Sequence, residues 1–408
     1  MIKEALILAA GKGTRMWPLT ENYPKPLLPL RGKPIIEQQI TSLRKVGVSK
    51  INILIGHRMK KISDLIGDGQ KYNIEINYIV QNKQKGTGHA VSLAEEHIDG
   101  AFFCLNGDIL IDYENLNLLS KQKNHMAMMI TTVDDGRKFG AVQTKNGLLT
   151  SIIEKGVKGP ASINAGIYLF NKKIFKSLKS IEKSIRGELE LTDALKLNEI
   201  YTVNYKGFWK DIGSPWDLLT ANEVCIEEIQ NDIKGTVEKN VNLKGDVHLG
   251  KDSILKSGTY IEGPVWIGEN CVVGPNAYLR KGTVLCGNNK VGASSEIKNS
   301  ILFENAKAPH HNYVGDSVIG KNCNLGSGTK IANLRLDKKE ITVVHKGQRV
   351  KTSRRKLGAI IGDNVATGIN SSINSGTIIG SDTKIGPNVL ISGTHESKSL
   401  IIKCTFFK

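Results

Sequence analysis

The chain has 408 residues, a formal net charge of +17, 40% hydrophobic residues and only 6% aromatic residues. This length predicts two or three domains with buried cores, and no segment has the roughly 18 consecutive apolar residues that a membrane span needs. A basic chain can bind nucleic acid, but no aromatic side chains alternate with the lysines as on a surface that binds single strands. We therefore expect neither a nucleic-acid nor a membrane partner.

The six cysteines are far apart in the sequence and form no Cys-x-x-Cys pair. They are Cys104, Cys225, Cys271, Cys286, Cys323 and Cys404. Such isolated cysteines in apolar surroundings are typical of buried side chains in a reducing compartment, so the sequence predicts a cytoplasmic protein. Glu4 interrupts the apolar N-terminal segment, which we interpret as a core strand rather than a signal peptide.

Residues 1–228 alternate short apolar segments with amphipathic ones, as in a sheet covered by helices. The predicted strands are residues 5–8, 51–55, 74–79, 102–105 and 126–132. The amphipathic segments include residues 35–46, 89–97 and 113–122. This alternation predicts an α/β domain with a mostly parallel, Rossmann-like sheet, in which ligands bind beyond the carboxyl ends of the strands.

A glycine-rich loop follows the first predicted strand. Its sequence is Leu8-Ala-Ala-Gly-Lys-Gly-Thr-Arg-Met16, with Pro-Lys-Pro at residues 24–26. Gly11 and Gly13 allow the backbone to turn sharply and to direct its N–H groups at an anion. Lys12, Arg15 and Lys25 add positive charge around these groups. The loop therefore predicts an anion-binding site directly after the first strand.

From about residue 243 the chain repeats an aliphatic or aromatic residue at every sixth position. These residues are Leu243, Leu249, Leu255, Ile261, Ile267, Val273, Leu279, Leu285, Val291, Ile297 and Phe303. The register breaks near Glu304, resumes at Ile319, breaks again over residues 332–356 and returns at Ile361. A period of six over so many turns predicts a parallel β-helix with these residues inside, and we interpret the two breaks as excursions from the coil.

The loop and several later segments resemble the signature of the sugar-1-phosphate nucleotidylyltransferases. The resemblance implies a set of nucleotide-binding residues, namely Leu8, Ala10, Gly11, Gly13, Thr14, Gln81, Gly86 and Thr87. It also implies catalytic roles for Arg15 and Lys25 and Mg²⁺ ligation by Asp108 and Asp211. In such enzymes a sugar-1-phosphate oxygen attacks the α-phosphorus of the triphosphate in line and pyrophosphate leaves.

The sugar-binding segments of that family also have counterparts in this chain. The resemblance implies that Gly140, Glu154, Lys155 and Asn164 bind the sugar phosphate. Glu154 and Asn164 would bond sugar hydroxyls or an N-acetyl group, and Lys155 would contact the phosphate. The chain mixes features of the uridylyl- and thymidylyltransferase branches and has Glu-Lys-Gly where many relatives have Glu-Lys-Pro. Both UTP and dTTP therefore stay open as the nucleotide.

The first break in the repeat contains Pro309-His-His-Asn-Tyr-Val-Gly-Asp316. This segment and its surroundings resemble the glucosamine-1-phosphate acetyltransferase half of the bifunctional enzymes of UDP-N-acetylglucosamine synthesis. The resemblance implies that His310 is the general base and that Glu296, the carboxylate near it, is also catalytic. The His-x-x-Tyr spacing favours His310 over His311. The implied acceptor-binding residues are Arg280, Lys298, Tyr313, Asn324, Asn333 and Lys339, and Gly368 and Gly386 are expected near acetyl-CoA.

Both halves together resemble the archaeal type of bifunctional sugar-1-phosphate nucleotidylyltransferase/acetyltransferase. The resemblance implies a nucleotidylyltransferase domain at residues 1–228, a linker at 229–240, a left-handed hexapeptide β-helix at 241–393 and a tail at 394–408. It implies Mg²⁺ as cofactor, acetyl-CoA as co-substrate and a homotrimer.

The implied function has two steps. Glucosamine-1-phosphate, or galactosamine-1-phosphate, is N-acetylated with acetyl-CoA, and the product then receives UMP from UTP. The alternative is a monofunctional glucose-1-phosphate thymidylyl- or uridylyltransferase, or a mannose-1-phosphate guanylyltransferase, with a non-catalytic β-helix. A non-enzymatic subunit, like those of the translation-initiation exchange factor, is disfavoured because this chain keeps Arg15, Lys25 and Asp108.

Overall fold

The computed structural model describes residues 2–56, 59–122, 125–154, 156–345 and 347–402. The chain divides into two compact units. The first consists of Met1–Lys12, Pro24–Leu27 and Pro34–Asp211, and the second of Gly13–Tyr23, Leu28–Lys33 and Ile212–Lys408. The glycine-rich loop is therefore divided, because its residues from Gly13 onward belong to the same unit as the six-residue repeat.

A nine-stranded sheet forms the centre of the first unit, and each apolar segment that the sequence predicts coincides with one of its strands to within one residue. Across the sheet the strands are Glu75–Val80, Lys50–Ile55, Glu4–Leu8, Phe102–Asn106, Ala161–Phe170, Ala127–Val133, Tyr201–Asn204, Leu148–Glu154 and Gly140–Lys145. The first four are parallel, and Ala161–Phe170 runs antiparallel to both of its neighbours. Leu8 pairs with Asn106, so the chain leaves these two parallel strands side by side at the carboxyl edge of the sheet.

Both faces of this sheet are covered, because alternate residues of each strand point to opposite sides. Ala5 and Ile7 belong to one buried cluster and Leu6 to the other. The helices of this unit are Ile35–Lys45, Met59–Ile66, Thr87–Ser92, Tyr113–Ser120, Lys173–Leu178 and Leu191–Lys196. Single 3₁₀ turns lie at Lys25–Leu27, Gln70–Tyr72, Glu95–His97 and Gly136–Lys138.

The second unit is built around three parallel sheets that form a β-helix. The first sheet contains Asp232–Ile233, Val247–Leu249, Val265–Ile267, Val284–Leu285, Ile301–Leu302, Val318–Ile319, Ala359–Ile361, Thr377–Ile379 and Thr394–His395. The second contains Thr236–Val237, Ile254–Leu255, Val272–Val273, Lys290–Ala293, Lys307–His310, Asn324–Leu325, Ala366–Thr367, Lys384–Ile385 and Leu400–Ile401. The third contains Asn242–Lys244, Tyr260–Glu262, Tyr278–Leu279, Glu296–Lys298, Tyr313–Gly315, Lys330–Ile331, Ser372–Ile373 and Leu390–Ile391.

The aliphatic residues of the six-residue repeat form the interior of this coil. Leu255, Ile261, Ile267 and Val273 are completely buried in one continuous cluster that runs the length of the β-helix. Each turn lies on the equivalent residues of the turn before it, so burial of these side chains holds neighbouring turns together. Helix Asp217–Cys225 and the 3₁₀ turns Thr14–Met16 and Ile226–Glu228 complete the second unit, together with part of a short ribbon between Pro29–Leu30 and Lys33–Pro34.

The prediction that the chain leaves the coil at the first break is wrong. Lys307–His310 and Tyr313–Gly315 are regular strands of the coil. Val247 pairs with Val265, so that turn has 18 residues. Val284 pairs with Ile301, which makes this turn one residue shorter. The shortening moves later aliphatic residues out of the strict register, and Leu302 joins the interior cluster where Phe303 was expected.

The second break is a true excursion from the coil. It contains the antiparallel hairpin Thr342–His345 and Gln348–Lys351, and it closes with a bridge between Leu334 and Lys356. Beyond this bridge the chain resumes the coil, because Ile319 pairs with Ile361 across the excursion.

The coil is longer than the predicted domain boundaries suggest. Asp232–Ile233 and Thr236–Val237 lie in the expected linker and already pair with the coil. Thr394–His395 and Leu400–Ile401 of the expected tail pair with it as well. Among the described residues, no helix combines the length and the apolar character needed to cross a bilayer.

Candidate active sites

Lys25 lies at the centre of a charged cluster in the first unit. Its Nζ atom is 2.5 Å from Oδ2 of Asp108 and 3.8 Å from Oδ1 of Asp211. The lysine side chain is only 8% exposed, whereas both carboxylates are partly open to solvent. The structure therefore brings together the predicted catalytic lysine and both predicted metal ligands.

The backbone around Asp108 explains why these groups meet. Asp108 follows the strand Phe102–Asn106, and Ile109 forms an antiparallel bridge with Asp211. The amide of the buried Gln39 donates to the carbonyls of Asn106 and Ile109, at 2.9 and 3.0 Å, and so fixes both ends of the turn that carries Asp108. Sequence reasoning missed Gln39, although a fully polar amide on the apolar face of a helix is a usable signal.

The glycine-rich loop begins at the carboxyl edge of the sheet. The Gly107 N–H donates to the Leu8 carbonyl, and the Gln84 side chain donates to the Ala10 carbonyl at 2.5 Å. Gly11 is exposed and has open space where a Cβ would be, so its backbone is accessible to a ligand. These contacts anchor the start of the loop and leave its glycine uncovered.

The middle of the loop belongs to the second unit and is held there by polar contacts. Thr14 and Arg15 are exposed on a 3₁₀ turn that follows Gly13, whose φ of 64° lies in the left-handed region. Asn22 donates to the Asp363 carboxylate at 2.9 Å, and Glu21 accepts from the Ser381 N–H at 3.0 Å. Nothing in the spacing of the repeat indicates these contacts.

The predicted nucleotide-binding residues Gln81, Gly86 and Thr87 all lie in the first unit. The buried Gln81 amide lies 3.0 Å from Nδ1 of His89, and burial lowers the pKa of that imidazole, with the charge on Lys85 adding to the effect. Gly86 has a φ of 105° and approaches the Leu189 backbone, where a Cβ would collide. The Thr87 hydroxyl accepts from the Leu191 N–H at 3.0 Å, so this side chain also stabilises the local fold.

The predicted sugar-binding residues lie on neighbouring strands of the same sheet. Gly140 pairs with Glu154, and Arg186, which sequence reasoning missed, lies 3.4 Å from the Glu154 carboxylate. Asn164 donates to the Tyr168 hydroxyl at 2.7 Å and accepts from the Gly166 N–H at 2.9 Å. Lys155 lies outside the described residues.

The second unit contains a separate cluster of cations on the third sheet of the coil. Arg280 forms a 3.0 Å ion pair with Glu296, and Lys298 lies 3.6 Å from the carboxylate of Asp316. Burial lowers the pKa of the Lys298 ammonium, Asp316 opposes this, and the like charges of Lys356 and Arg280 lower it further. Three cations therefore converge here, as a phosphate-binding site requires.

Tyr313 and Asn333 complete this cluster. Tyr313 pairs with Glu296 across adjacent turns, and its hydroxyl hydrogen-bonds with the Asn333 amide. Burial raises the pKa of the Tyr313 phenol, and the charges of Glu296 and Asp316 act in the same direction. The phenol therefore stays protonated at neutral pH and can donate a hydrogen bond.

His310 ends the strand Lys307–His310, one corner away from Tyr313. The His310 side chain is exposed, and its backbone N–H donates to the Asn312 side-chain oxygen at 3.1 Å. The buried Asn312 amide also donates to the Gly326 carbonyl at 2.8 Å, which fixes the corner between the two strands. His311 is exposed as well, in a left-handed conformation, and its carbonyl accepts from the Lys330 ammonium.

The remaining predicted residues lie apart from the cation cluster. Lys339 is on an exposed turn of the excursion, where its N–H donates to Asp337, and the position beside Lys298 is taken by Lys356. Lys356 lies at the end of the excursion, five residues before Ile361. That spacing is the sequence signal from which Lys356 could have been identified as a candidate. Asn324 is exposed and pairs with Lys307, on the strand that carries His310.

The two predicted acetyl-CoA glycines lie on successive turns of the coil. The backbone N–H groups of Gly368 and Gly386 donate hydrogen bonds to carbonyl groups of the next turn. A Cβ on Gly368 would collide with the backbone of Gly386 and Pro387. These glycines therefore permit close stacking of the corners.

Among the described residues, no group of three or more His, Cys, Asp or Glu side chains could hold a metal ion. Asp108 and Asp211 provide two carboxylates beside one lysine. Such a pair suits Mg²⁺, which binds few protein carboxylates and takes its other ligands from water and substrate phosphates.

The fold and these sites define a nucleotidyltransferase domain followed by a hexapeptide-repeat transferase. Residues 4–228 match the nucleotidyl transferase family, residues 358–393 match the bacterial transferase hexapeptide repeats, and residues 261–356 match the GMPPB C-terminal domain. A Bacillus anthracis protein described as a glucose-1-phosphate thymidylyltransferase, solved with sucrose, is similar over 57% of this chain and 98% of its own. Its TM-score is 0.51 and its identity 28%.

The chain belongs to the family of bifunctional sugar-1-phosphate nucleotidylyltransferase/acetyltransferases. The bifunctional protein GlmU of Methanococcus maripaludis strain C5 is 44% identical over 98% of this chain and 97% of its own length. The protein of the same name from Methanocaldococcus jannaschii is 42% identical over the same shares. The bifunctional sugar-1-phosphate nucleotidylyltransferase/acetyltransferase of Sulfurisphaera tokodaii is 42% identical over 95% of this chain and 97% of its own. The predicted family and fold class are confirmed, and the hexapeptide match agrees with a left-handed β-helix.

Proposed function

We propose that this protein N-acetylates glucosamine-1-phosphate with acetyl-CoA and then transfers UMP from UTP to the product, releasing pyrophosphate. The observation that carries the proposal is that one chain contains two separate clusters suited to phosphate chemistry. One is Lys25 with its two carboxylates, and the other is formed by Arg280, Lys298 and Lys356. The relatives described as bifunctional, one of them as a nucleotidylyltransferase/acetyltransferase, support assigning one reaction to each cluster.

Uridylyl transfer needs an attacking phosphate oxygen, an electrophilic α-phosphorus and a stabilised leaving group. The sugar phosphate attacks in line and the bond to pyrophosphate breaks, so no enzyme group is covalently modified. Lys25 neutralises charge on the phosphates, and the open backbone at Gly11 offers N–H donors. Asp108 and Asp211 would hold Mg²⁺, which neutralises phosphate charge when bound.

Acetyl transfer needs a neutral amine, because an ammonium ion has no free electron pair. His310 takes a proton from the amino group of the sugar, and the amine nitrogen then attacks the thioester carbonyl carbon of acetyl-CoA. The carbon–sulfur bond breaks, and the departing thiolate takes up the proton that the acylated nitrogen loses, which gives the free thiol. Arg280, Lys298 and Lys356 would hold the sugar phosphate, and Tyr313 and Asn333 would orient the sugar. The exposed His310 side chain leaves room for the second substrate.

The first test uses the purified protein with Mg²⁺, four nucleoside triphosphates and a set of sugar-1-phosphates, scored by pyrophosphate release. The second measures thiol release from acetyl-CoA with glucosamine- and galactosamine-1-phosphate. We expect UTP with N-acetylglucosamine-1-phosphate and acetyl-CoA with glucosamine-1-phosphate to be the best pairs. Pyrophosphate release without any thiol release would replace the proposal with a monofunctional nucleotidylyltransferase whose β-helix is not catalytic.

We also propose a homotrimer, because a three-sided coil presents flat faces that can pack around a threefold axis. Light scattering should then give about three times the 44.6 kDa mass of one chain. A monomer mass at assay concentration would contradict this part of the proposal.

A further inference from the structure

The Asp316 carboxylate lies at the centre of a buried polar network beside the cation cluster. Its side chain is only 3% exposed. Its Oδ2 atom accepts from the Asn333 amide at 2.5 Å and lies 3.6 Å from the Lys298 ammonium. Its Oδ1 atom accepts from the Asn299 amide at 2.8 Å. One carboxylate thus contacts two residues that are proposed to bind the sugar phosphate.

A second layer of side chains supports this arrangement. The Asn299 amide also donates to Glu223 of the helix Asp217–Cys225 at 2.6 Å. Glu223 in turn forms a 2.5 Å ion pair with Arg354, whose side chain is nearly buried and whose Nη2 atom lies 4.0 Å from the Asp316 carboxylate. Because the carboxylates of Asp316 and Glu223 each have a cation and an amide donor nearby, they are held firmly in place.

The backbone of Asp316 is fixed as well. Its N–H donates to the Lys298 carbonyl at 2.9 Å, and its own carbonyl accepts from the Gly358 N–H at 2.8 Å. Its φ of 48° lies in the left-handed region, which Asp and Asn tolerate better than most residues. The carboxylate therefore enters the network from a rigid corner of the coil.

A negative charge beside a phosphate site is electrostatically unfavourable for the phosphate. Removing it would strengthen the pull of Lys298, Lys356 and Arg280 on an anion if attraction were all that mattered. Its presence is explained by geometry instead, because a carboxylate offsets the repulsion among these cations and directs the hydrogen-bond donors that contact it.

We propose that Asp316 is a positioning residue for acetyl transfer, holding the Lys298 ammonium and the Asn333 amide in the orientation that receives the sugar phosphate. It acts through these two side chains and does not touch the substrate. The inference rests on the proposed function of this site and extends it to a residue outside the predicted set.

The test is the Asp316→Asn variant, which keeps the shape and tolerates the left-handed conformation but removes the charge. We expect the KM for glucosamine-1-phosphate to rise about tenfold or more, because small displacements of positioning groups are costly, with the KM for acetyl-CoA unchanged. An unchanged or lower KM for glucosamine-1-phosphate would overturn the proposal. Asp252→Asn is the matched control, since Asp252 has a similar φ of 58° but lies exposed on another corner.

Crystal structures of the wild type and of Asp316→Asn provide the measurement that does not depend on activity. Displacement of the Lys298 and Asn333 side chains in the variant would support the proposal, and unchanged positions of these side chains would defeat it. This comparison holds even if the wild type acetylates no amino-sugar-1-phosphate. A wild type without acetyltransferase activity would by itself reject only the proposed function. If Asp316→Asn does not fold, Glu223→Gln loosens the same network from its outer layer, and a smaller rise in the same KM is expected. No rise with this variant would count against the proposal.

Discussion

The Lys25 ammonium and the Asp108 carboxylate form a 2.5 Å ion pair in which the lysine is almost completely buried. A buried ammonium without a counter-ion is costly, so the Asp108 carboxylate stabilises the buried position of the Lys25 side chain. We therefore expect the proposed binding of phosphates and Mg²⁺ at this cluster to depend on both residues. The dependence leads to the first two predictions.

Lys25→Ala and Asp108→Asn should each lower pyrophosphate release by about 10² or more, because the first removes a positive charge beside the reacting phosphates and the second removes a proposed Mg²⁺ ligand. Thiol release should stay near the wild-type rate, since the second cluster is built from residues of the coil. The exposed Lys145 provides a control, and Lys145→Ala should leave both rates unchanged. A folded Lys25→Ala protein that has lost both activities would contradict separate sites.

Chelation of divalent cations should abolish pyrophosphate release and leave thiol release intact. The reason is that Asp108 and Asp211 offer carboxylates for Mg²⁺, whereas cations dominate the site around Lys298. The measurement is both assays on one preparation with EDTA, followed by excess Mg²⁺ to restore the first activity. Pyrophosphate release that persists in the chelator would exclude the proposed metal role.

His310→Ala should reduce thiol release by about 10²–10⁴, the usual range for loss of a general base. His311→Ala is the matched control and should have a much smaller effect, because the His-x-x-Tyr spacing selects its neighbour. Pyrophosphate release from N-acetylglucosamine-1-phosphate should survive both changes. Equal losses of thiol release in the two variants would mean that the spacing had identified the wrong group.

Lys356→Ala should raise the KM for glucosamine-1-phosphate about tenfold or more, since a hydrogen bond to a charged group is worth roughly 1.5–3 kcal/mol. Lys339→Ala should change this KM little, because Lys339 lies on an exposed turn of the excursion. Steady-state kinetics on the two variants compares the residue selected by the structure with the one predicted by spacing. The opposite ranking would restore Lys339 as the phosphate ligand.

Ile297→Ala should destabilise the β-helix by about 2–5 kcal/mol, the usual cost of truncating a fully buried isoleucine. Ile369→Ala removes the same atoms from a side chain that is 55% exposed and should cost much less. Urea denaturation followed by circular dichroism gives both values. Similar urea midpoints for the two variants would show that the buried aliphatic side chains inside the coil contribute less to its stability than their burial indicates.

Sequence patterns predicted the fold class for a simple physical reason. The sequence patterns of strands such as Glu4–Leu8 and of the hexapeptide turns are local. A buried strand must be apolar, and a β-helix turn must present its aliphatic residue at a regular spacing. Motifs such as the Gly11–Gly13 loop and the His310–Tyr313 spacing are equally local, so a resemblance to a family could be recognised from them.

The sequence by itself thus determined the family, the two kinds of domain and most candidate residues. Tertiary structure decided which of them meet. It showed that the segment around His310 is a shortened turn rather than an excursion, because strand pairing tolerates a missing residue at a corner while a strict count of six does not. It also placed both Lys356 and Asp316 beside Lys298. Lys356 reaches this position because the hairpin excursion returns the chain to a point that spacing along the sequence does not measure.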